Sequence, residues 1–118
     1  MNTARRVLIV DASAETREVL RLLLERRGVN TLEVERLREA VRLAGEFQPD
    51  VIVLDAESDS AAGDAAGDLR DATGRRDTPI VILGKIQPGG VSAGDLFVDK
   101  PYHYGPLIRK IDGLLDAA

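Results

Sequence analysis

Val51-Ile52-Val53-Leu54-Asp55 is the stretch that decides the fold. An unbroken apolar run, mostly β-branched, ends in a carboxylate. Such a run reads as a strand buried on both faces, the habit of parallel sheets covered by helices; a strand with one wet face would alternate. Two further segments repeat the device. Val7-Leu8-Ile9-Val10 runs into Asp11, and Leu96-Phe97-Val98-Asp99 runs into Lys100, with Pro101 after it. In open α/β sheets ligands bind outside the carboxyl ends of the strands. Two carboxylates and an ammonium delivered to that rim predict a strongly charged site.

The order of the strands follows from their burial. The runs before Asp11 and Asp55 and the run Ile80-Val81-Ile82-Leu83 are the most apolar and belong in the centre. Val29 to Val34 alternates with polar residues, and Asp95 to Asp99 is short and flanked by acids, so both suit sheet edges. Edges at the second and fifth strands give a doubly wound, flavodoxin-like five-stranded parallel sheet of order 2-1-3-4-5, with helices on both faces and a shortened fourth helix. Asp11 and Asp55 then sit where the winding reverses.

Helical patterns fill the gaps. Val19, Leu20, Leu23 and Leu24 form one stripe, with Ser13 as N-cap and Gly28 as stop. Leu37, Ala40, Val41, Ala44 and Phe47 form a second, closed by Gln48-Pro49. A last helix is expected after Gly105-Pro106, with Leu107, Ile108, Ile111, Leu114 and Leu115 inward and Arg109, Lys110 and Asp112 outward. The third helix, around Ala61 to Ala72, is the weakest. Gly63 and Gly67 each cost it about 1 kcal/mol relative to Ala.

Composition fits one domain over residues 1–118: 44% hydrophobic content supports a core without staples. No apolar run is long enough to span a bilayer, and Met1 to Arg6 lacks the apolar segment of a signal peptide, so a cytoplasmic address and no membrane partner are expected. The absence of Cys excludes disulfides and thiolate zinc sites. A net charge of −4 argues against nucleic-acid binding by this domain, although Arg17, Arg21, Arg26 and Arg27 are candidates for a local basic face.

These residues resemble the receiver domain of bacterial two-component response regulators, over almost the whole chain. The family's first-strand acid falls on Asp11, its phosphate-accepting aspartate on Asp55, and its lysine before proline on Lys100-Pro101. Gly63 matches the glycine after the acceptor loop, and Phe97 the aromatic switch position on the fifth strand. The chain also departs from the pattern. A second acid, a direct magnesium ligand, is replaced by Ala12; the Thr or Ser after strand four by Gly84, the other switch position; the small residue after it by Lys85; and the Met-Pro after the acceptor by Ser58-Asp59. The segment from Gly84 to Lys100 is about six residues short, more than one helical turn. With Pro88-Gly89-Gly90 in it, Lys85 to Val91 is expected to be a loop with at most one turn of helix. The family's usual dimer surface would then be incomplete, leaving a monomer or a dimer through another face.

The resemblance implies phosphoryl transfer to Asp55 from a histidine kinase or phosphotransfer protein, Lys100 contacting the phosphoryl group, and signalling to an effector domain or protein, with turnover limited to self-phosphorylation and self-dephosphorylation. Asp11 and Asp55 on neighbouring strands would lie roughly 5 Å apart and repel by about 3 kcal/mol at an effective dielectric of 20. Magnesium, held by Asp11 and Asp55 and with a lesser claim by Glu57, would offset this, weakly or not at all given Ala12. Lys85 offers another compensation, its ammonium reaching Asp55 from strand four. The competing reading is a pseudo-receiver, an interaction module no longer controlled by phosphate. Two enzyme readings stand further off. Asp55-Ala56-Glu57-Ser58 faintly resembles the nucleophile motif of haloacid-dehalogenase-type phosphatases but lacks its second Asp, and Asp11 with Asp55 and Glu57 resembles a topoisomerase-primase acidic site without a basic groove. His103, alone and without Cys, reads as solvated, and Tyr102 and Tyr104 as interface anchors or partly buried rings.

Overall fold

The computed structural model describes residues 4–57 and 64–117. Its elements alternate: β1 (Arg6–Val10), α1 (Ala14–Glu25), β2 (Asn30–Val34), α2 (Leu37–Phe47), β3 (Val51–Asp55), α3 (Ala65–Thr73), β4 (Ile80–Leu83), β5 (Leu96–Val98) and α4 (Tyr104–Asp116). The strands form one parallel sheet of order β2-β1-β3-β4-β5, as the burial pattern of the sequence predicts. Period-two alternation splits the core. Leu8, Val10, Ile52, Leu54, Ile80 and Ile82 face α2 and α3, while Val7, Ile9, Val51, Val53, Val81 and Leu83 face α1 and α4. Both faces of the three central strands are dry, which is why those strands read as unbroken apolar runs. No helix among the described residues is long and apolar enough to cross a membrane.

Local chemistry explains the helix ends. The Ser13 side chain accepts from the Thr16 amide at 3.2 Å and caps α1, and Gly28 supplies a positive φ beyond its end. Gln48 ends α2 in the left-handed region and spans to α3, its side-chain amide donating to the Gly45 and Thr73 carbonyls at 2.9 and 2.8 Å. The last helix begins at Tyr104 rather than after Pro106. Pro106 is its third residue, where a missing N–H costs nothing because first-turn amides have no intrahelical acceptor. Gly63, Ser58, Asp59 and the expected start of the third helix at Ala61 lie outside the described residues.

Between β4 and β5 the expected shortened fourth helix does not form: Pro88-Gly89-Gly90 leaves only turns and irregular chain there. This segment docks on the start of α3. The Gly89 carbonyl accepts from the Ala66 and Gly67 amides at 3.1 and 3.2 Å, standing in for a side-chain cap. A Cβ on Gly90 would lie 2.2 Å from the Gly67 nitrogen, so Gly90 is a glycine because its backbone touches that of α3, while a Cβ on Gly67 would meet the Asp64 carboxylate at 2.7 Å. The helix penalty counted for Gly67 therefore has a packing return.

β5 stands at the sheet edge as expected, but its flanking acid Asp95 is buried. Rather than blunting a sheet edge, its side chain is fully buried and accepts from Arg70 Nη2 at 2.5 and 2.6 Å, from the Ile80 amide at 2.8 Å and from the Ser92 amide at 2.9 Å. Arg70 also donates to the Gly90 carbonyl at 2.6 Å and the Thr78 carbonyl at 3.2 Å. One guanidinium thus ties α3 to the middle and the far end of the shortened segment and to the chain just before β4. The basic face on α1 is compensated too: Arg21 pairs with Glu33 at 2.9 Å and with Glu25 at 3.3 Å, Arg17 approaches Glu33 at 3.7 Å, and Arg27 holds Asp112 at 2.6 Å.

Candidate functional site

Asp11 follows β1 and Asp55 ends β3, adjacent strands whose connections leave in opposite directions. Both residues are buried, at 2% and 6% exposure. Backbone amides orient them: Ser13 donates to Asp11 Oδ1 at 2.8 Å and Glu57 to Asp55 Oδ1 at 3.0 Å. Lys100 arrives from beyond β5, its bond to Pro101 in the cis form, and its ammonium donates to Asp55 Oδ1 at 2.7 Å. The sequence expectation that these three residues share a rim matches their arrangement.

The charges are coupled. Burial raises the Asp11 carboxyl above its ordinary value; the Ser13 amide opposes this, and the Asp55 carboxylate beside it adds to it. Burial pulls the Lys100 ammonium down, but the hydrogen bond and charge of Asp55, with Asp11 and Glu57, outweigh it and hold Lys100 above the usual lysine value. Beside them opens a cavity of about 610 Å³ bordered by Thr16, Glu57, Lys85, Lys100, Tyr102 and Tyr104. The two tyrosine rings meet edge to face with centroids 5.6 Å apart. Burial pushes the Tyr102 phenol up to about 12. His103 is exposed at the start of α4.

Glu57 and Lys85 behave differently from expectation. Among the described residues no three carboxylate, His or Cys side chains gather as a metal cluster, so Glu57 does not join Asp11 and Asp55. Its carboxylate turns to Lys100 Nζ at 3.5 Å and to the Lys85 amide at 3.4 Å, drawn by the nearest donors. Lys85 contributes that backbone N–H; its side chain is exposed and makes no ion pair with Asp55 among the described residues. β4 ends at Leu83, and the next residue, Gly84, takes a φ of +112 while its amide donates to the Val98 carbonyl at 2.8 Å. Phe97 pairs in register with Ile82 and shares its face of the sheet, yet is 47% exposed because no helix follows β4 to cover that edge.

The donor set remaining at the rim, Asp11 and Asp55, suits a hard cation that takes one or two carboxylates and keeps its waters, as magnesium does. The like charge that raises Asp11 is what such an ion would relieve.

Sequence reasoning missed Arg70 and its anchor Asp95. A signal was present: Arg70 sits in the inward stripe Ala66, Leu69, Arg70, Thr73 at helical spacing, where a charge must find a buried partner.

A five-stranded 2-1-3-4-5 sheet bearing two acids and a lysine on its carboxyl rim defines a receiver-type α/β domain. A family model for the response regulator receiver domain matches residues 7–88, and the chain belongs to that family: it is a receiver domain of a two-component response regulator. It is 29% identical over 119 aligned positions to the phosphate regulon transcriptional regulatory protein PhoB of Escherichia coli, covering 95% of this chain and 52% of PhoB. The chain spans about half or less of the length of such curated relatives. The Vibrio cholerae chemotaxis protein CheY4 matches with a TM-score of 0.80 at 22% identity, over 95% of this chain and 99% of that one. The receiver domain of the sensor histidine kinase PA1611 from Pseudomonas aeruginosa, solved with a magnesium ion in its active-site cleft, matches with a TM-score of 0.76 at 21% identity, over 97% and 99% of the two chains. At these identities the two structural likenesses show the fold.

Proposed function

We propose that this domain acts as one receiver unit that accepts a phosphoryl group on Asp55 from a histidine kinase or phosphotransfer protein. It then signals through protein contacts to an effector domain or a separate effector protein. The observation that carries the reading is the 2.7 Å contact of Lys100 Nζ with Asp55 Oδ1, at a buried strand end beside Asp11. In the transfer, an Asp55 oxygen attacks phosphorus, the bond from phosphorus to the donor's imidazole nitrogen breaks, and that nitrogen keeps the electron pair. Lys100, already on Asp55, offers its ammonium to a phosphoryl oxygen. Asp11 and Asp55 are the residues that would hold magnesium, which when bound spreads the charge of the phosphoryl group. With turns alone between β4 and β5, the domain works as a monomer or dimerises through a face that this segment does not build.

A pseudo-receiver is the second reading, favoured by Ala12, by Gly84 without a hydroxyl, and by the Glu57 carboxylate already on Lys100. Intact-mass analysis after acetyl phosphate with magnesium separates the two. One added phosphoryl group, abolished by Asp55→Asn, supports the first; no label supports the pseudo-receiver, and label surviving Asp55→Asn refutes the assignment of the acceptor.

A further inference from the structure

Glu57 occupies a position that a surface carboxylate has no reason to take. Its side chain lies over the Cα of Gly84: a Cβ built there would meet Glu57 Cγ at 2.7 Å and Cδ at 2.9 Å. One carboxylate oxygen approaches Lys100 Nζ at 3.5 Å, and the other accepts from the Lys85 amide at 3.4 Å. The same ammonium donates to Asp55 at 2.7 Å. A single cation therefore serves two carboxylates, one of them the proposed acceptor. Glu57 spans from the end of β3 across the start of the β4–β5 segment and fills the volume that a side chain at position 84 would take.

We infer that Glu57 is a built-in anion that competes with an incoming phosphoryl group for Lys100, and so gates access to Asp55. The inference rests on Asp55 being the phosphoacceptor. An oxygen of the arriving group needs the Lys100 donor direction that Glu57 holds, and two anions sharing one ammonium repel. Glu57 must swing out as the new oxygen–phosphorus bond forms and the donor leaves. At 37% side-chain exposure, with contacts of 3.4–3.5 Å, it is held loosely enough to do so.

The test compares the domain with Glu57→Gln, which keeps the bulk and removes the charge, and with Glu57→Ala. Acetyl phosphate labelling with magnesium, followed by intact mass, should run about two- to five-fold faster in both variants, the scale of a partly exposed ion pair. Faster labelling in Glu57→Ala alone would mean that bulk and not charge obstructs the site, and overturns the inference. So does label in the original domain, abolished by Asp55→Asn, at a rate that neither variant changes. No label in any of the three proteins overturns the acceptor reading and the gate with it. A urea-denaturation cycle checks the placement: Gly84→Ala should lower the midpoint less in the Glu57→Ala background than alone. Equal shifts in both backgrounds show that Glu57 does not fill that space and overturn the gate.

Discussion

Arg70→Met tests whether one buried ion pair takes over the work of a missing helix. In the native domain the Arg70 and Asp95 side chains are 8% and 0% exposed. The substitution keeps much of the apolar stem but removes both bonds to Asp95 and those to the Thr78 and Gly90 carbonyls. Asp95 is left as a buried carboxylate with, among the described residues, the Ile80 and Ser92 amides to solvate it. Breaking one side of a buried pair costs about 3–5 kcal/mol, against a typical total stability of about 5–15 kcal/mol. At about 4 °C per kcal/mol for a domain of this size, the melting temperature should fall by roughly 12–20 °C. Urea denaturation and thermal melts read both quantities. The double variant Arg70→Met with Asp95→Asn should cost clearly less than the sum of its parts, because it no longer strands a charge. Arg70→Lys, which keeps charge but not the planar fork, should fall between the native domain and Arg70→Met. A loss below about 1 kcal/mol for Arg70→Met, or simple additivity in the cycle, would refute the idea that this pair tethers the β4–β5 segment to α3.

Three other outcomes follow from the same structure. Gly90→Ala should cost about 3 kcal/mol in urea denaturation, since it adds a Cβ against the Gly67 backbone at φ +81, whereas Gly74→Ala, at φ +70 with nothing within 4 Å, should cost only about 1 kcal/mol. With no Trp in the chain, ultraviolet titration should show the Tyr102 phenolate appearing only near pH 12, a component that Tyr102→Phe removes. Its sign follows from linkage. The folded chain keeps a proton that the unfolded chain loses near pH 10, so this group's contribution to stability declines from about pH 10 up through the folded value. Magnesium titration by calorimetry should show binding that Asp11→Asn weakens and Lys85→Ala leaves nearly unchanged, because the Lys85 side chain makes no ion pair with Asp55; tighter binding in Lys85→Ala would restore that residue as a competing cation.

The sequence alone determined the sheet, its order, and which three charges reach its carboxyl rim. The reason is local: strands buried on both faces must be unbroken apolar runs, the residue just past such a run stands at the strand end, and edge strands betray themselves by alternation. Asp11, Asp55 and Lys100 were legible because each is tied to the end of a strand. That the fourth crossover could hold at most one helical turn was equally plain from Pro88-Gly89-Gly90, since those residues break helices whatever surrounds them. What only the tertiary structure decided was where long side chains reach. Glu57 turns to Lys100 rather than to the two aspartates, Lys85 makes no ion pair with Asp55, and Arg70 crosses to a carboxylate that sequence patterning read only as flanking an edge strand. Gly67 likewise reads as a defect of its helix, whereas in the fold the Asp64 carboxylate takes the place of its side chain and the Gly90 backbone packs on its own. A flexible side chain several bonds long finds whichever opposite charge the fold brings within reach, and that partner can stand far away in the chain, as Asp95 does from Arg70. Periodicity records which face of an element is buried. It carries no record of the partner that makes burying a charge tolerable.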